Sequence, residues 1–198
     1  ASTAAYWFQP QLLGTVAGFD ALVPYWLGAV AIKMMPLLDP ALAVRLPFIL
    51  LLVVTLLATW YAIYYLARSP QAQPVAFAFG GEADPVDYAR AMADAGLLAL
   101  IASLGLAQFS HETTPALAQL GFTALAFYAM AASPYRQATR IFGPALGLLT
   151  GLIGLALSGA PTLAVLFGLG GTLVEGCHLR SCTKPTDTAS RQRSRQWL

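Results

Sequence analysis

Two adjacent residues near the middle of the chain, His111 and Glu112, carry side chains suited to acid–base chemistry. An imidazole beside a carboxylate can bind a metal ion or transfer a proton. The zinc-protease pattern HExxH is absent, because Pro115 stands where its second histidine would be. Two neighbouring residues are weak evidence for a functional site. The alternative interpretation is structural, namely that His111 and Glu112 form a polar turn at the end of a helix.

Asp94 is another acidic residue with a functional interpretation, because it lies near the start of an apolar segment. Acidic residues within membrane-spanning helices are rare and are functional candidates by default. Arg90 precedes Asp94 by four residues, so the two side chains share one helix face and are predicted to pair. The pairing favours a structural role for Asp94.

The composition identifies the kind of protein that must position these residues. Apolar residues make up 58% of the 198 residues and charged residues 10%, and the mean hydropathy is +0.64. A soluble domain carries about 25% charged residues, so this chain has too few charges to cover a surface that faces water. These values exclude an ordinary soluble enzyme, a disordered chain and a small disulfide-rich protein. They predict an all-α fold, namely a multi-pass integral membrane helical bundle.

Five apolar segments are predicted to cross the membrane. The clearest is 46–67, which reaches about 33 Å and is long enough for a hydrocarbon core of about 30 Å. Aromatic side chains near its end predict a belt at the membrane interface, and they are Trp60, Tyr61, Tyr64 and Tyr65. The other segments are 91–109, 115–132, 141–158 and 160–174.

The two ends of the chain differ from this central region, residues 46–175. Residues 1–45 contain four prolines and no uncharged stretch of about 20 residues. We therefore expect an extracytoplasmic loop there, with interfacial helices parallel to the membrane, although residues 22–35 stay open to a re-entrant or partial span. Residues 176–198 carry five Lys or Arg and one Asp and are predicted to form an unstructured basic tail. No folded domain with a basic face is predicted, so nucleic acid is not an expected partner.

Two local patterns predict details of the helices. The residues DPVD at 84–87 indicate a helix start, because Asp caps the first turn and Pro suits the first helical position. Gly143, Gly147 and Gly151 are spaced by four residues. They predict a helix face that lets a second helix approach closely.

Lys and Arg are distributed unequally between the predicted loops. With residues 1–45 placed outside, nine of the eleven Lys and Arg fall on the inner side, and Lys33 and Arg45 are the outer two. Cytoplasmic loops are enriched in Lys and Arg. We therefore predict that the N-terminal segment is outside, together with the loop that contains His111 and Glu112, and that the tail is cytoplasmic.

Two short motifs precede the first long span, VPYWLGA at 23–29 and AVRLP at 43–47. They resemble motifs of the bacterial membrane glycosyltransferases of GT-C type, the superfamily of protein O-mannosyltransferases and aminoarabinose transferases. The resemblance extends over about residues 20–135. In that family the Pro-Tyr-Trp motif lies in the first extracytoplasmic loop with two membrane-parallel helices, and Arg-Leu-Pro opens the next span.

The resemblance implies transfer of a sugar from a polyprenyl-phosphate donor to an acceptor at the outer face of the bacterial inner (plasma) membrane. A carboxylate acts as base on the acceptor, while cations, and in some members a divalent metal, hold the donor phosphate. Membrane lipids surround such an enzyme. The residues that we expect to fill these roles are, for catalysis, Glu112, His111 and Asp20 and, for binding the donor, the two outer cations Arg45 and Lys33 with Tyr25 and Trp26.

Two other classes of function remain open, a transporter or channel subunit and an inactive structural membrane fragment. Transporters usually contain internal repeats, and none is found among the five apolar segments. The chain begins with Ala and its first Met is Met34. We therefore expect a processed chain or a fragment of a longer protein.

The predicted sidedness is testable by chemical labelling. Thr113→Cys and Gln137→Cys should react from opposite sides of the membrane, because the cation distribution places these positions in loops on opposite faces. An impermeant thiol reagent added to intact cells should label position 113 and leave position 137 unlabelled. Reaction at both positions would contradict the assigned orientation.

Overall fold

A computed structural model describes residues 11–12, 16–17, 21–74, 83–103, 115–135 and 142–182. Within these ranges the chain is almost entirely helical. The α-helices, numbered in chain order, are α1 (Val23–Met34), α2 (Pro40–Ala67), α3 (Pro85–Ala102), α4 (Pro115–Ala132), α5 (Phe142–Leu157) and α6 (Pro161–Cys182). Short 3-10 turns at Pro70–Ala72 and Ser133–Tyr135 follow α2 and α4.

The N-terminal segment departs from the all-helical prediction at one place. β1 (Gln11–Leu12) pairs antiparallel with β2 (Val16–Ala17). Backbone hydrogen bonds between two short strands satisfy the same polar groups that an interfacial helix would satisfy internally. α1 is the helix that the described part of this segment contains, and its predicted orientation parallel to a membrane stays a prediction.

Proline marks where four of the six described helices begin. α2, α3, α4 and α6 each start at Pro, which suits this position because the first turn needs no N–H there. The predicted helix start at 84–87 is confirmed. The Asp84 carboxylate accepts hydrogen bonds from the N–H groups of Val86 at 2.7 Å and Asp87 at 3.4 Å, which satisfies donors that the first turn leaves free.

Hydropathy predicts where the helices lie better than where they end. The predicted segments 115–132 and 141–158 match α4 and α5 to within one residue. α3 covers the first part of segment 91–109, while residues 104–110 lie outside the described ranges. α2 begins six residues before the predicted span 46–67, because Pro40 opens the helix ahead of its uncharged part.

The last helix corrects the predicted tail. α6 ends at Cys182 rather than at residue 174, so the unstructured tail predicted for 176–198 is wrong for residues 176–182. Polar residues after 174 end the apolar stretch without ending the helix, because the next proline is Pro185. Residues 183–198 lie outside the described part of the chain.

α2 and α4 run side by side in the same direction. Gly121 of α4 packs against Leu51 and Thr55 of α2. Further along both helices, the Tyr128 ring lies 6.2 Å from the Tyr61 ring. Residue numbers increase together along the two helices, so the helices are parallel and begin at the same end of the bundle.

α5 runs antiparallel to α4 along a row of glycines. The contacting pairs are Gly147 with Ala129, Gly151 with Ala126 and Gly154 with Phe122. The predicted glycine face is therefore correct for Gly147 and Gly151 and wrong for Gly143, where a Cβ would meet nothing within 4 Å. α4 ends at Ala132, before the level of Gly143. α6 returns along α5, with Gly168 near Leu152 and Gly171 near Leu148.

Alanine fills the interior of the bundle. Of the seventeen buried apolar residues in the described part of the chain, fourteen are Ala and the other three are Phe48, Leu117 and Leu155. Large apolar side chains lie outside, and Leu50 and Leu166 are 67% and 64% exposed. A soluble protein buries its Leu and Ile. Small residues inside and large apolar residues outside are what helices packed in lipid require.

Two helical segments in the described ranges are long and apolar enough to cross a membrane, Pro40–Ala67 and Pro115–Tyr135. Their apolar windows are only 22% and 39% buried, whereas the core helix of a soluble protein is mostly buried. Gly143–Leu157 and Pro161–Leu173 are apolar but shorter. The fold therefore defines an all-helical protein with two candidate membrane-spanning helices.

Substitution of Gly151 tests the contact between α4 and α5. A Cβ at this position would lie 2.9 Å from the Ala126 backbone nitrogen, and a helix backbone cannot move aside as a side chain can. We expect Gly151→Ala to lower the free energy of unfolding by about 1–3 kcal/mol. Thermal unfolding in detergent, followed by far-UV circular dichroism, measures the change.

Gly147→Ala is the matched control, one turn earlier in α5. Its Cβ would lie 3.5 Å from the Ala129 Cβ, which is an ordinary contact. The higher helix propensity of Ala should leave the stability unchanged or raise it by up to about 1 kcal/mol. Equal destabilisation by the two substitutions would contradict the packing.

Candidate functional site

α1 and the first turns of α2 form a helical hairpin, which carries the four residues predicted to bind the donor. Gly28 faces α2, since a Cβ there would lie 3.6 Å from Val44 Cγ1. Pro24, Gly28 and Ala31 are the buried residues of α1 and are spaced by four and three, so they form one helix face. This packed face determines where the other residues of α1 stand.

The remaining residues of the hairpin include both predicted outer cations. Tyr25 and Trp26 lie in the first turn of α1 and are half-buried, whereas Lys33 and Arg45 are exposed. Among the described residues, neither cation has a carboxylate within 4.0 Å. Exposed cations without an acidic partner can bind a phosphate group.

The turn between α5 and α6 joins the starts of two other helices, at what we call the Ser158 end of the bundle. The Leu22 backbone N–H donates to the Leu157 carbonyl at 2.8 Å. Gln119 Nε2 donates to the Ser158 carbonyl, also at 2.8 Å. The first residues of α1 and of α4 are thereby held at one end of the bundle.

The three predicted catalytic residues, Asp20, His111 and Glu112, lie outside the described residues. The residues that follow them and are described, Ala21 and Pro115, lead into the two helix starts at the Ser158 end. In the described part of the chain, no three His, Cys, Asp or Glu side chains come together as ligands for a metal ion.

Aromatic rings cluster at the opposite end of the bundle, which we call the Arg68 end. The Trp60 and Tyr64 rings stack with their centroids 5.4 Å apart and their planes at 8°. Tyr65 lies 5.4 Å from Tyr135 and 6.2 Å from Tyr128. The aromatic residues predicted as a belt on α2 thus contact one another, but they also contact a second helix.

Tyr128 and Tyr135 also belong to this cluster, although the sequence did not lead us to expect them there. Both lie toward the end of the apolar segment that begins at Pro115. Two spans that run in the same direction bring their ends to the same interface. Aromatic residues near the ends of segments 46–67 and 115–132 were therefore the signal that could have identified the cluster.

Arg68 lies across two of these rings. Its guanidinium carbon is 5.6 Å from the centroid of the Tyr64 ring and 6.0 Å from that of Tyr135. Its Nη1 donates to the Tyr64 hydroxyl at 3.5 Å. The attraction between a cation and aromatic faces holds the flat guanidinium at this place.

Asp94 contacts α2 rather than a cation of its own helix. Trp60 Nε1 donates to Asp94 Oδ1 at 2.8 Å, while Arg90 pairs with Asp87 at 3.3 Å. The predicted pair of Arg90 with Asp94 is therefore wrong. A carboxylate three residues away is as accessible to Arg90 as one four residues away, and the spacing along one helix does not reveal a donor on another.

Comparison with known proteins gives no match, either to a protein-family model, to a curated protein or to a solved structure. The resemblance to GT-C glycosyltransferases rests on the motifs at 23–29 and 43–47 and on the helix pair predicted over 87–132.

The bond between Trp60 and Asp94 is testable with a double-mutant cycle. Trp60→Phe keeps a ring that can stack on Tyr64 but removes the N–H donor. We expect it to lower the free energy of unfolding by about 1 kcal/mol in the wild-type background, and much less in an Asp94→Leu background. Unfolding in detergent, followed by circular dichroism, measures both changes.

Asp87→Asn is the control for loss of a carboxylate from α3. It removes an exposed pair between residues three apart, which should contribute only about 0.3–0.5 kcal/mol. Additive effects of Trp60→Phe and Asp94→Leu would show that the hydrogen bond does not join α2 to α3.

Proposed function

We propose that the chain is a multi-pass helical membrane protein whose large apolar side chains face lipid. The alanine-rich core with Leu on the outside is the observation that carries this proposal. In lipid no hydrophobic force drives helices together, so they associate through close packing of small residues. The candidate spans are α2 and the segment Pro115–Tyr135, and Gly143–Leu157 and Pro161–Leu173 add two shorter apolar helices beside them.

Within this class, the function we propose is that of a membrane glycosyltransferase, or of a part of one. It would transfer a sugar from a polyprenyl-phosphate donor to an acceptor at the extracytoplasmic face of the bacterial inner membrane. The motifs at 23–29 and 43–47 suggest the reaction. The position of the hairpin supports it, because α1 carries an exposed cation and begins at the same end of the bundle as α4.

In this proposal each group has a definite task. The carboxylate of Glu112 takes the proton from the acceptor as the new glycosidic bond forms, and His111 and Asp20 are the other proposed catalytic residues. The bond between the sugar and the phosphate breaks, and the polyprenyl phosphate leaves with the electron pair. Arg45 and Lys33 stabilise the charge on that phosphate.

The Arg68 end is too far away to take part in this reaction. Gln119 at the Ser158 end and Tyr135 at the Arg68 end are sixteen residues apart on a nearly continuous helix, which corresponds to about 24 Å. Asp94, which binds Trp60 near the Arg68 end, therefore cannot reach the donor phosphate. This distance provides a control for the functional test.

The test compares three substitutions in the complete protein. We expect Glu112→Gln to lower the rate of sugar transfer about 100- to 10,000-fold, as loss of a general base does. His111→Ala should also reduce the rate, and Asp94→Asn should leave it nearly unchanged, because Asn keeps an oxygen that can accept from Trp60. The measurement is transfer of labelled sugar from the lipid-linked donor in membranes with equal amounts of each variant.

An equal loss of activity in all three variants would contradict the placement of the site at the Ser158 end. The donor itself can be identified from the lipid-linked sugars that accumulate when the gene is deleted. If no lipid-linked sugar accumulates and the wild-type protein transfers none, the glycosyltransferase proposal fails.

A further inference from the structure

Arg68 is a cation in a defined position with unused hydrogen-bond donors. The guanidinium has five N–H groups, and one of them donates to the Tyr64 hydroxyl at 3.5 Å. The guanidinium carbon lies over the rings of Tyr64 and Tyr135, and within the described part of the chain no other group accepts from its N–H groups. Among the described residues, no carboxylate lies within 4.0 Å of Arg68.

The carboxylates of the neighbouring helix, α3, are already engaged. The Asp84 carboxylate caps the start of α3, Asp87 pairs with Arg90, and Asp94 accepts from Trp60. Their hydrogen bonds hold each of them to a partner other than Arg68. Among the described residues, no carboxylate is therefore left to neutralise the positive charge of Arg68.

The position of Arg68 along α2 indicates where a neutralising anion would come from. Exposed apolar side chains follow α2 as far as Leu66, which is 45% exposed, and Arg68 directly follows the last residue of the helix. Tyr and Trp side chains concentrate at the level of lipid headgroups. The guanidinium thus lies where an apolar surface that faces lipid gives way to an aromatic belt.

We propose that Arg68, held between Tyr64 and Tyr135, binds the phosphate group of an anionic phospholipid. The guanidinium N–H groups donate to the phosphate oxygens in the paired geometry that favours Arg over Lys. The phenol groups of Tyr64 and Tyr135 flank the site, and the acyl chains lie along the exposed face of α2. This inference rests on the proposed location in a membrane and is independent of sugar transfer.

The test measures lipid retention by the full-length chain. The protein is reconstituted in vesicles of phosphatidylglycerol and phosphatidylcholine, extracted in mild detergent and analysed by native mass spectrometry. We expect the wild-type protein to retain phosphatidylglycerol in preference to phosphatidylcholine. Arg68→Gln should lower this preference about fivefold, as loss of one interfacial cation predicts, and an excess of inorganic phosphate should not displace the lipid.

Arg90→Gln is the matched control, because it lowers the net charge by the same amount but removes an Arg that is paired with Asp87. Its lipid preference should stay within about twofold of wild type, since Arg90 is already neutralised by its partner. Equal losses in the two variants, or no preference in the wild-type protein, would overturn the proposal. Displacement by inorganic phosphate would assign the site to a soluble anion and overturn it as well.

Arg68→Lys separates the flat guanidinium from the charge alone. It keeps the positive charge but loses the surface that stacks on the two rings, so it should retain less phosphatidylglycerol than wild type. Retention equal to wild type would contradict the role of Tyr64 and Tyr135. Flotation with the vesicles tests membrane location separately, because a protein that does not float fails the membrane proposal itself.

Discussion

The close approach of α4 and α5 is the contact on which the rest of the bundle depends. At Gly151 the helix backbones meet without an intervening side chain, close enough that even a methyl group would overlap Ala126. The hydrogen bond from Gln119 to the Ser158 carbonyl fixes the register of the two helices. Because α2 packs on the other side of α4 and α6 on α5, this contact determines the positions of both outer helices.

Different kinds of interaction hold the helices together at the two ends of the bundle. At the Ser158 end, backbone and amide hydrogen bonds tie the starts of α1 and α4 to one turn. At the Arg68 end, stacked rings and a hydrogen bond from Trp60 to Asp94 join α2, α3 and α4. One end is held mainly by bonds to main-chain carbonyls, and the other by aromatic side chains, two of which contact Arg68.

Much of the fold follows from local physical chemistry and could therefore be predicted. Apolar length located α4 and α5, and the cap at Asp84 marked the start of α3, because each depends on neighbouring residues in the sequence. The extension of α6 past residue 174 was missed because hydropathy reports the environment of a helix and not its backbone hydrogen bonds. The partner of Asp94 was missed because Trp60 lies on a different helix, and no spacing rule relates positions 60 and 94.

The candidate site was less predictable than the fold, for a related reason. Lys33 and Arg45 were predicted to be outer cations from the distribution of Lys and Arg between the loops, but their exposure depends on how α1 packs through Gly28 on Val44. That packing is a property of two helices and of the short turn between them. Tyr128 and Tyr135 likewise become recognisable as partners of α2 only when the sequence is read with α2 and α4 running in the same direction.

Pro47 relates the hairpin to the bundle. It lies inside α2, between the turns that pack on α1 and the turns that pack on α4. Proline lacks the N–H that would bond to the carbonyl four residues earlier, so the Ala43 carbonyl has no helical partner at this point. The two parts of α2 are therefore coupled less tightly than in an uninterrupted helix. The hydrogen bond from Leu22 to Leu157 provides a second connection between the hairpin and the bundle. It holds the start of α1 in place, so the position of α1 does not depend on α2 alone.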